Sequence, residues 1–218
     1  MTRPRTLGAI LYEGFELLDL YGPLEMFGIL GEELRIVTVA DQAGPVASTP
    51  GVKTHADVSL AECPDLDLIL IPGGLGTFPQ LANQALLDFL RSRCPKAELT
   101  LSVCSGSALL AKAGLLDGRR ATSNKIFFDA ITAQGRDVDW IAEARWVEDG
   151  PFVTSSGVSA GTDAALAVIE RLYGSERAEQ IAVFTEYEWH RDASEDPFSK
   201  YLNDGQFADL IATAGRST

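Results

Sequence analysis

Apolar and polar positions alternate between two regimes along this chain: short continuous apolar runs, and longer stretches with apolar residues three and four apart. Runs of the first kind suit strands buried on both faces, and stretches of the second kind suit amphipathic helices. "LGAILY" (Leu7–Tyr12), "LRIVTVA" (Leu34–Ala40), "LDLILIPGG" (Leu66–Gly74) and "ELTLSVC" are of the first kind. "LLDLYGPLEMFGIL", "PQLANQALLDFLRSR", "SGSALLAKAGLL", "KIFFDAITAQG", "SAGTDAALAVIERLYG" and "SERAEQIAVFTEYEWH" are of the second. Pro23 suits the first turn of its helix. A stop at Asp117-Gly118 ends the fourth apolar strand's following helix, and Ser159 and Gly174 bracket the helix between them. "GPVASTPGVKTHADVSL" reads as a small hairpin or excursion, and the segment around Asp149-Gly150-Pro151 reads as a β-hairpin. The final ~28 residues are polar and mixed. Strands alternating with helices predict a mostly parallel sheet with helices on both faces, in one domain over residues 1–218.

Composition narrows the function. Hydrophobic residues make up 46% and charged residues 22% of 218 residues, as in a soluble globular domain. No apolar run is long enough to span a membrane. The first apolar run meets Glu13 and Glu16 without a small-residue cleavage site, which predicts a first strand and a cytoplasmic protein. A net charge of −13 argues against nucleic acid or an anionic membrane as partner.

The chemistry concentrates at two strand ends. "IPGGLG" (Ile71–Gly76) offers glycines that let backbone N–H groups approach a ligand. "LTLSVCSGSALL" ends a strand on Cys104, with Ser102 and Gly106 as small neighbours two positions away. That pattern suits a nucleophile elbow, a sharp strand-to-helix turn that presents a side chain. The following helix start favours a thiolate. The N–H groups of Ser105 and Gly74 are candidate donors to a developing anion. The competing reading of Cys104 is a core cysteine at a strand end. Cys63 and Cys94 each precede a proline and read as structural; three cysteines without a CxxC pair predict neither a disulfide framework nor a metal site.

An acid or base must accompany the thiol. Asp19, crowded by Leu17, Leu18 and Leu20, is the candidate, since a carboxyl in apolar surroundings holds its proton longer. The alternative is that Asp19 caps a helix beginning near Pro23. His55 reads as a surface residue of the excursion, and His190 as a helix C-cap or the rim of a cleft. Asp163 reads as a structural acid in the first turn of its helix.

"LDLYGPLEMF", "DLILIPGGLGT", "SVCSGSALLAKAGLLDGRRAT" and "VTSSGVSAGTDAALAVIERLYG" together resemble the DJ-1/PfpI superfamily, and within it the isocyanide hydratase branch, from about Leu7 to Tyr187. The resemblance implies a flavodoxin-like three-layer sandwich related to class I glutamine amidotransferases, usually a homodimer. It implies Cys104 as nucleophile, Asp19 as its acidic partner, and the backbone of Gly74 and Ser105 as oxyanion contacts. Glutamate at position 19 marks the deglycase and chaperone-like members, and aspartate the hydratase branch. The Thr-Thr-His stretch of many members reads Thr122-Ser123-Asn124 here, so a Cys–His dyad is absent. The implied reaction is hydration of an isocyanide to an N-substituted formamide through a Cys104 thioimidate, without cofactor or metal. Two other functions remain open: a glyoxalase or deglycase acting on 2-oxoaldehydes, and a small-molecule or redox sensor akin to the sensing half of AraC-type regulators.

Overall fold

The computed structural model describes residues 3–207, 209, 212 and 213. The chain begins with β1 (Arg5–Ile10), α1 (Leu17–Gly28) and β2 (Leu34–Ala40), then a hairpin of β3 (Gly44–Ala47) and β4 (Lys53–Ala56), and β5 (Val58–Ser59). Next come β6 (Leu68–Ile71), α2 (Thr77–Gln80), α3 (Gln84–Arg93), β7 (Leu99–Val103) and α4 (Gly106–Lys112). β8 (Arg119–Ala121), α5 (Phe128–Thr132) and β9 (Val138–Trp140) follow. The hairpin β10 (Trp146–Asp149) and β11 (Phe152–Ser155) precedes α6 (Ala160–Tyr173) and α7 (Ser175–Phe184).

Among the described residues the central sheet has seven strands in the order β10-β11-β7-β6-β1-β2-β5, all parallel except the edge strand β10. Every residue of β6, β7 and β11 is buried, which is why these segments carry no polar alternation. From β1 the chain crosses through α1 to β2, and from β6 it crosses through α3 to β7 in the opposite direction. Right-handed crossovers in opposite directions place α1 and α3 on opposite faces of the sheet. α6 packs on α1 and α7, and α4 packs on α3 and α5, completing the flavodoxin-like three-layer sandwich. The reversal between β1 and β6 opens a crevice at the carboxyl ends of the strands. Asp19, Gly73 and Cys104 all follow those ends. No helix among the described residues is long and apolar enough to cross a membrane.

Several boundaries differ from the sequence pattern, each for a local reason. α1 begins at Leu17, so Pro23 lies inside it and not in its first turn. Proline lacks the N–H that would bond the carbonyl four residues back, which is that of Asp19. The segment from Pro79 to Arg93 is two helices, because Asn83 adopts an extended conformation and accepts the Leu86 N–H at 3.2 Å as an N-cap. α4 stops at Lys112, and Gly114 turns the chain at φ +76°, ahead of Asp117-Gly118. α5 is only five residues long. Ser159 stands at the N-cap of α6 but its hydroxyl makes no capping bond.

Candidate active site

Cys104 is the turn between β7 and α4, at φ +57°. A non-glycine residue there costs on the order of 1 kcal/mol or more and must be held by its surroundings. Its N–H is shared between the carbonyls of Ser155 (3.2 Å) and Ser156 (3.1 Å). Its carbonyl accepts the hydroxyls of Ser123 (2.7 Å) and Ser107 (3.2 Å). Gly106 is needed because a Cβ there would stand 2.5 Å from the Ile71 carbonyl oxygen. Ser102 is buried and fits the other small position. The predicted elbow is therefore present, and Ser107 and Ser123 support it; both went unnoticed in sequence because a buried serine has no pattern of its own.

Asp19 lies in the first turn of α1 and is fully buried, so it does not cap a helix starting near Pro23. Its Oδ2 accepts the Gly73 N–H at 2.9 Å, and its Oδ1 has no hydrogen-bond partner. Burial pushes this carboxyl up to about 8, and the nearby Glu16 charge adds to the rise. The N–H groups of Gly73 and Val158 and the thiol of Cys104 pull the other way. A Cβ on Gly73 would lie 2.6 Å from both Ser105 N and Ser105 Oγ and 2.8 Å from Asp19 Oδ2. Only a glycine leaves room for acid and elbow to converge there.

Cys104 is 6% exposed. The helix start was expected to favour the thiolate, yet burial raises this thiol well above its ordinary value, with the Asp19 charge adding to it. The N–H groups of Ser105 and Val158 and the Ser105 hydroxyl oppose the rise without cancelling it. Desolvation wins because α4 has only seven residues and the sulfur sits in a nearly dry site. The Asp19 charge raises the thiol, whereas the thiol's hydrogen bond lowers Asp19, so the two titrate as a pair. Both are protonated at neutral pH, and the pair gives up its first proton near pH 8.

Gly74 plays a different part from the one its sequence suggests. Its N–H donates to Ser105 Oγ at 3.0 Å and so is not directed at a ligand. Ser105 Oγ also lies 2.9 Å from Thr77 Oγ1, which lies 2.9 Å from the Tyr12 hydroxyl, and that hydroxyl donates to the Pro72 carbonyl at 2.6 Å. This chain of hydroxyls fixes Ser105 beside the thiol. The glycines of "IPGGLG" serve close packing of protein on protein. A Cβ on Gly76 would overlap the Glu13 carbonyl oxygen, although its φ of −65° suits any residue. Gly76→Ala is therefore expected to lower stability by about 1–3 kcal/mol in urea denaturation, the cost of overpacking a rigid contact.

Val158 is the residue that sequence reasoning missed. A β-branched side chain at φ +47° is a true outlier, and its N–H faces both Asp19 and Cys104. The signal was present in "SSGVSAG", where the glycine invites the turn but the strain falls on its neighbour. Asn124 accepts the Phe127 N–H at 3.0 Å and packs against Gly157. His55 is exposed on β4. His190 is exposed beyond α7, with Nε2 3.3 Å from the Glu195 carbonyl. Neither histidine is a partner of the Cys104–Asp19 pair. Asp163 is fully buried and pairs with Arg145 at 2.6 Å, as a structural acid should. Cys63 and Cys94 are free and buried.

A model of the DJ-1/PfpI family matches residues 7–171. The chain belongs to the DJ-1/PfpI family. Isonitrile hydratase of Pseudomonas putida is 34% identical over 181 residues, covering 83% of this chain and 78% of that protein. Protein DJ-1 homolog A of Arabidopsis thaliana is 30% identical over 78% of this chain. The HTH-type transcriptional regulator CdhR of Pseudomonas aeruginosa is 27% identical over 79%. The chain spans only 43% and 52% of the latter two proteins. Among solved structures, a ThiJ/PfpI family protein from Pseudomonas syringae superposes with a TM-score of 0.82 at 30% identity, over 98% of this chain and 90% of that one. Drosophila melanogaster DJ-1beta shares the fold, with a TM-score of 0.77 at 23% identity over 85% of this chain and all of that one. Within the family the matched region contains Asp19, Gly73, Cys104 and Val158, and it ends before α7.

Proposed function

We propose that this protein hydrates isocyanides to N-substituted formamides, with Cys104 as nucleophile and Asp19 as proton donor and acceptor. The observation that carries this reading is the buried Asp19 carboxyl, raised to about 8 and meeting the elbow over Gly73. An isocyanide must receive a nucleophile and a proton on one and the same carbon. A thiol and a carboxyl sharing a single proton offer both.

In the first step the Cys104 sulfur bonds to the terminal carbon while the pair's proton goes to that carbon, leaving a thioimidate, R–N=CH–S, and an ionised Asp19. Water then adds across the C=N bond. Asp19 takes a proton from the water and passes one to nitrogen, and the hydroxyl joins the carbon. Finally the C–S bond breaks, the hydroxyl proton returns to Asp19, and R–NH–CHO leaves. The sulfur departs as thiolate, so the pair ends with the one proton it began with. The N–H groups of Ser105 and Val158 stabilise the charge on sulfur before attack and after release. Gly74 acts through Ser105, by holding its hydroxyl. A homodimer of single-domain subunits in the cytosol, acting on a small molecule without cofactor or metal, completes the proposal.

The experiment is a turnover screen of purified protein against cyclohexyl isocyanide and methylglyoxal, with formamide and lactate measured by mass spectrometry. Formamide from the isocyanide, with little or no lactate, is the expected outcome. Lactate without formamide would replace this reading with the 2-oxoaldehyde one. Small-molecule binding without turnover would replace it with a sensor.

A further inference from the structure

Beyond α7 the chain does not wander off. It returns across the carboxyl end of the sheet as a strap over residues 190–207. Four backbone ties hold it: His190 N to Asp163 Oδ1 (2.9 Å), Arg145 N to Ala193 O (2.8 Å), Asp196 N to Glu143 O (2.7 Å) and Asn203 N to Lys125 O (2.8 Å). At its middle the buried Asp196 carboxylate sits between Lys125 Nζ (3.8 Å) and Arg145 Nη1 (3.7 Å).

Between those ties the strap presents Phe198 and Tyr201, and just beyond the last of them Phe207, to a cavity of about 410 Å³. The rings of Tyr201 and Phe207 meet edge to face at 5.9 Å. The opposite wall is Asn124–Ile126 and Ser156–Ser159. Val158 belongs to both places: its N–H faces Cys104 and Asp19, and its residue lines the cavity. Ser156, another wall residue, accepts the Cys104 N–H on its carbonyl at 3.1 Å, so the cavity wall is bonded directly to the turn that carries the sulfur. The cavity's size lies in the range of small-molecule sites, and its aromatic and aliphatic walls favour an uncharged, apolar guest. Phe198 is 53% exposed as it stands, so a guest has apolar surface left to cover.

We propose that this strap is the specificity wall of the enzyme, and that the cavity it closes takes the apolar cycloalkyl or aryl substituent of the substrate. Phe198 and Tyr201 set the preference for bulk. The strap lies wholly beyond the region that the family model matches, residues 7–171, so its aromatic residues are not part of the shared family core. This inference rests on the hydratase reading for the identity of the reacting group, but its test has a second readout that does not.

The test uses Phe198→Ala and Tyr201→Ala in the full chain. The first measurement is the ratio of kcat/KM for cyclohexyl isocyanide to that for methyl isocyanide. The second is equilibrium binding of N-cyclohexylformamide by titration calorimetry. Loss of one ring face is expected to lower both the selectivity ratio and the affinity about tenfold. If no isocyanide is turned over but the formamide binds and the variants weaken it, the cavity assignment stands and the hydratase reading falls. Isocyanide turnover with selectivity and formamide affinity unchanged in both variants would overturn the specificity wall. So would failure of the parent protein to bind the formamide. Dissociation of a dimer by Phe198→Ala, with binding intact, would assign these rings to a subunit contact and overturn it as well.

Discussion

Cys104→Ala is expected to remove isocyanide turnover, with a loss of about 10⁴-fold or more in kcat, because in the proposed reaction no other group forms the covalent bond. Asp19→Asn keeps an acceptor for the Gly73 N–H but cannot move a proton, and loses about 10²–10⁴-fold. The double variant is no worse than Cys104→Ala alone, since the two groups act as a unit. The pH profile carries the sharper test. The competent pair holds one proton and both groups are protonated at neutral pH, so kcat/KM is expected to rise as pH climbs through about 8, where the buried Asp19 carboxyl ionises. A profile flat from pH 6 to 10 would remove Asp19 from the chemistry. Stability moves with the same group. Its folded-state value lies above the ordinary carboxylate range, so between about 4 and 8 the folded chain binds more protons than the unfolded one. Its contribution is greatest below pH 4 and declines as pH rises toward 8. Asp19→Asn, which has no proton to lose, is therefore expected to raise the thermal midpoint at pH 8 while it destroys activity. Such a trade of stability for function marks a group kept for its chemistry.

Asp163→Ala is expected to have the largest effect on stability. Asp163 Oδ2 accepts Arg145 Nη2 at 2.6 Å and Nε at 2.8 Å, and Oδ1 accepts the Tyr187 hydroxyl at 3.1 Å and the His190 N–H at 2.9 Å. The carboxylate is fully buried and Arg145 nearly so. Removing it leaves the buried guanidinium with only the more distant Asp196 carboxylate at 3.7 Å, a loss on the order of 3–5 kcal/mol. For a chain of this length that corresponds to a fall of roughly 10 °C in the thermal midpoint, readable by circular dichroism. Asp163→Asn, which keeps an acceptor, is expected to fall less. The loss also frees the start of the strap at His190, so the affinity for N-cyclohexylformamide should drop in whatever fraction still folds. Equal midpoints for the parent and Asp163→Ala would mean that the pair is not a keystone.

Local pattern carried a long way here. β2 occupies Leu34–Ala40, the same seven residues that the apolar run marks. The two hairpins, the buried strands β6 and β7 and the long helix α6 also lie where periodicity and turn residues place them. The elbow was readable because its requirements are local: a thiol after a buried strand, with small residues at Ser102 and Gly106. Misreadings occurred where a distant element overrode a local preference. Pro23 is a good helix opener in isolation, yet α1 starts six residues earlier to bury Leu20 and Asp19 against the sheet. Gly74 offers a free N–H in isolation, yet Ser105 takes it from across the crevice. The polar tail showed no periodicity, because the strap is held by single bonds to Glu143, Arg145 and Lys125 and not by an amphipathic face.

By itself the amino-acid order determined the alternating architecture and the elbow at Cys104, since both follow from periodicity, spacing and residue type over short stretches, and its motifs carried the resemblance to the family. The tertiary structure alone decided the ionisation of Cys104 and Asp19, the strained Val158 N–H that faces them, and the cavity beside them. Those properties depend on how much water is excluded and which dipoles converge at one point. Segments far apart in the chain, 19, 73, 104 and 158, set that together once the sheet has closed over them.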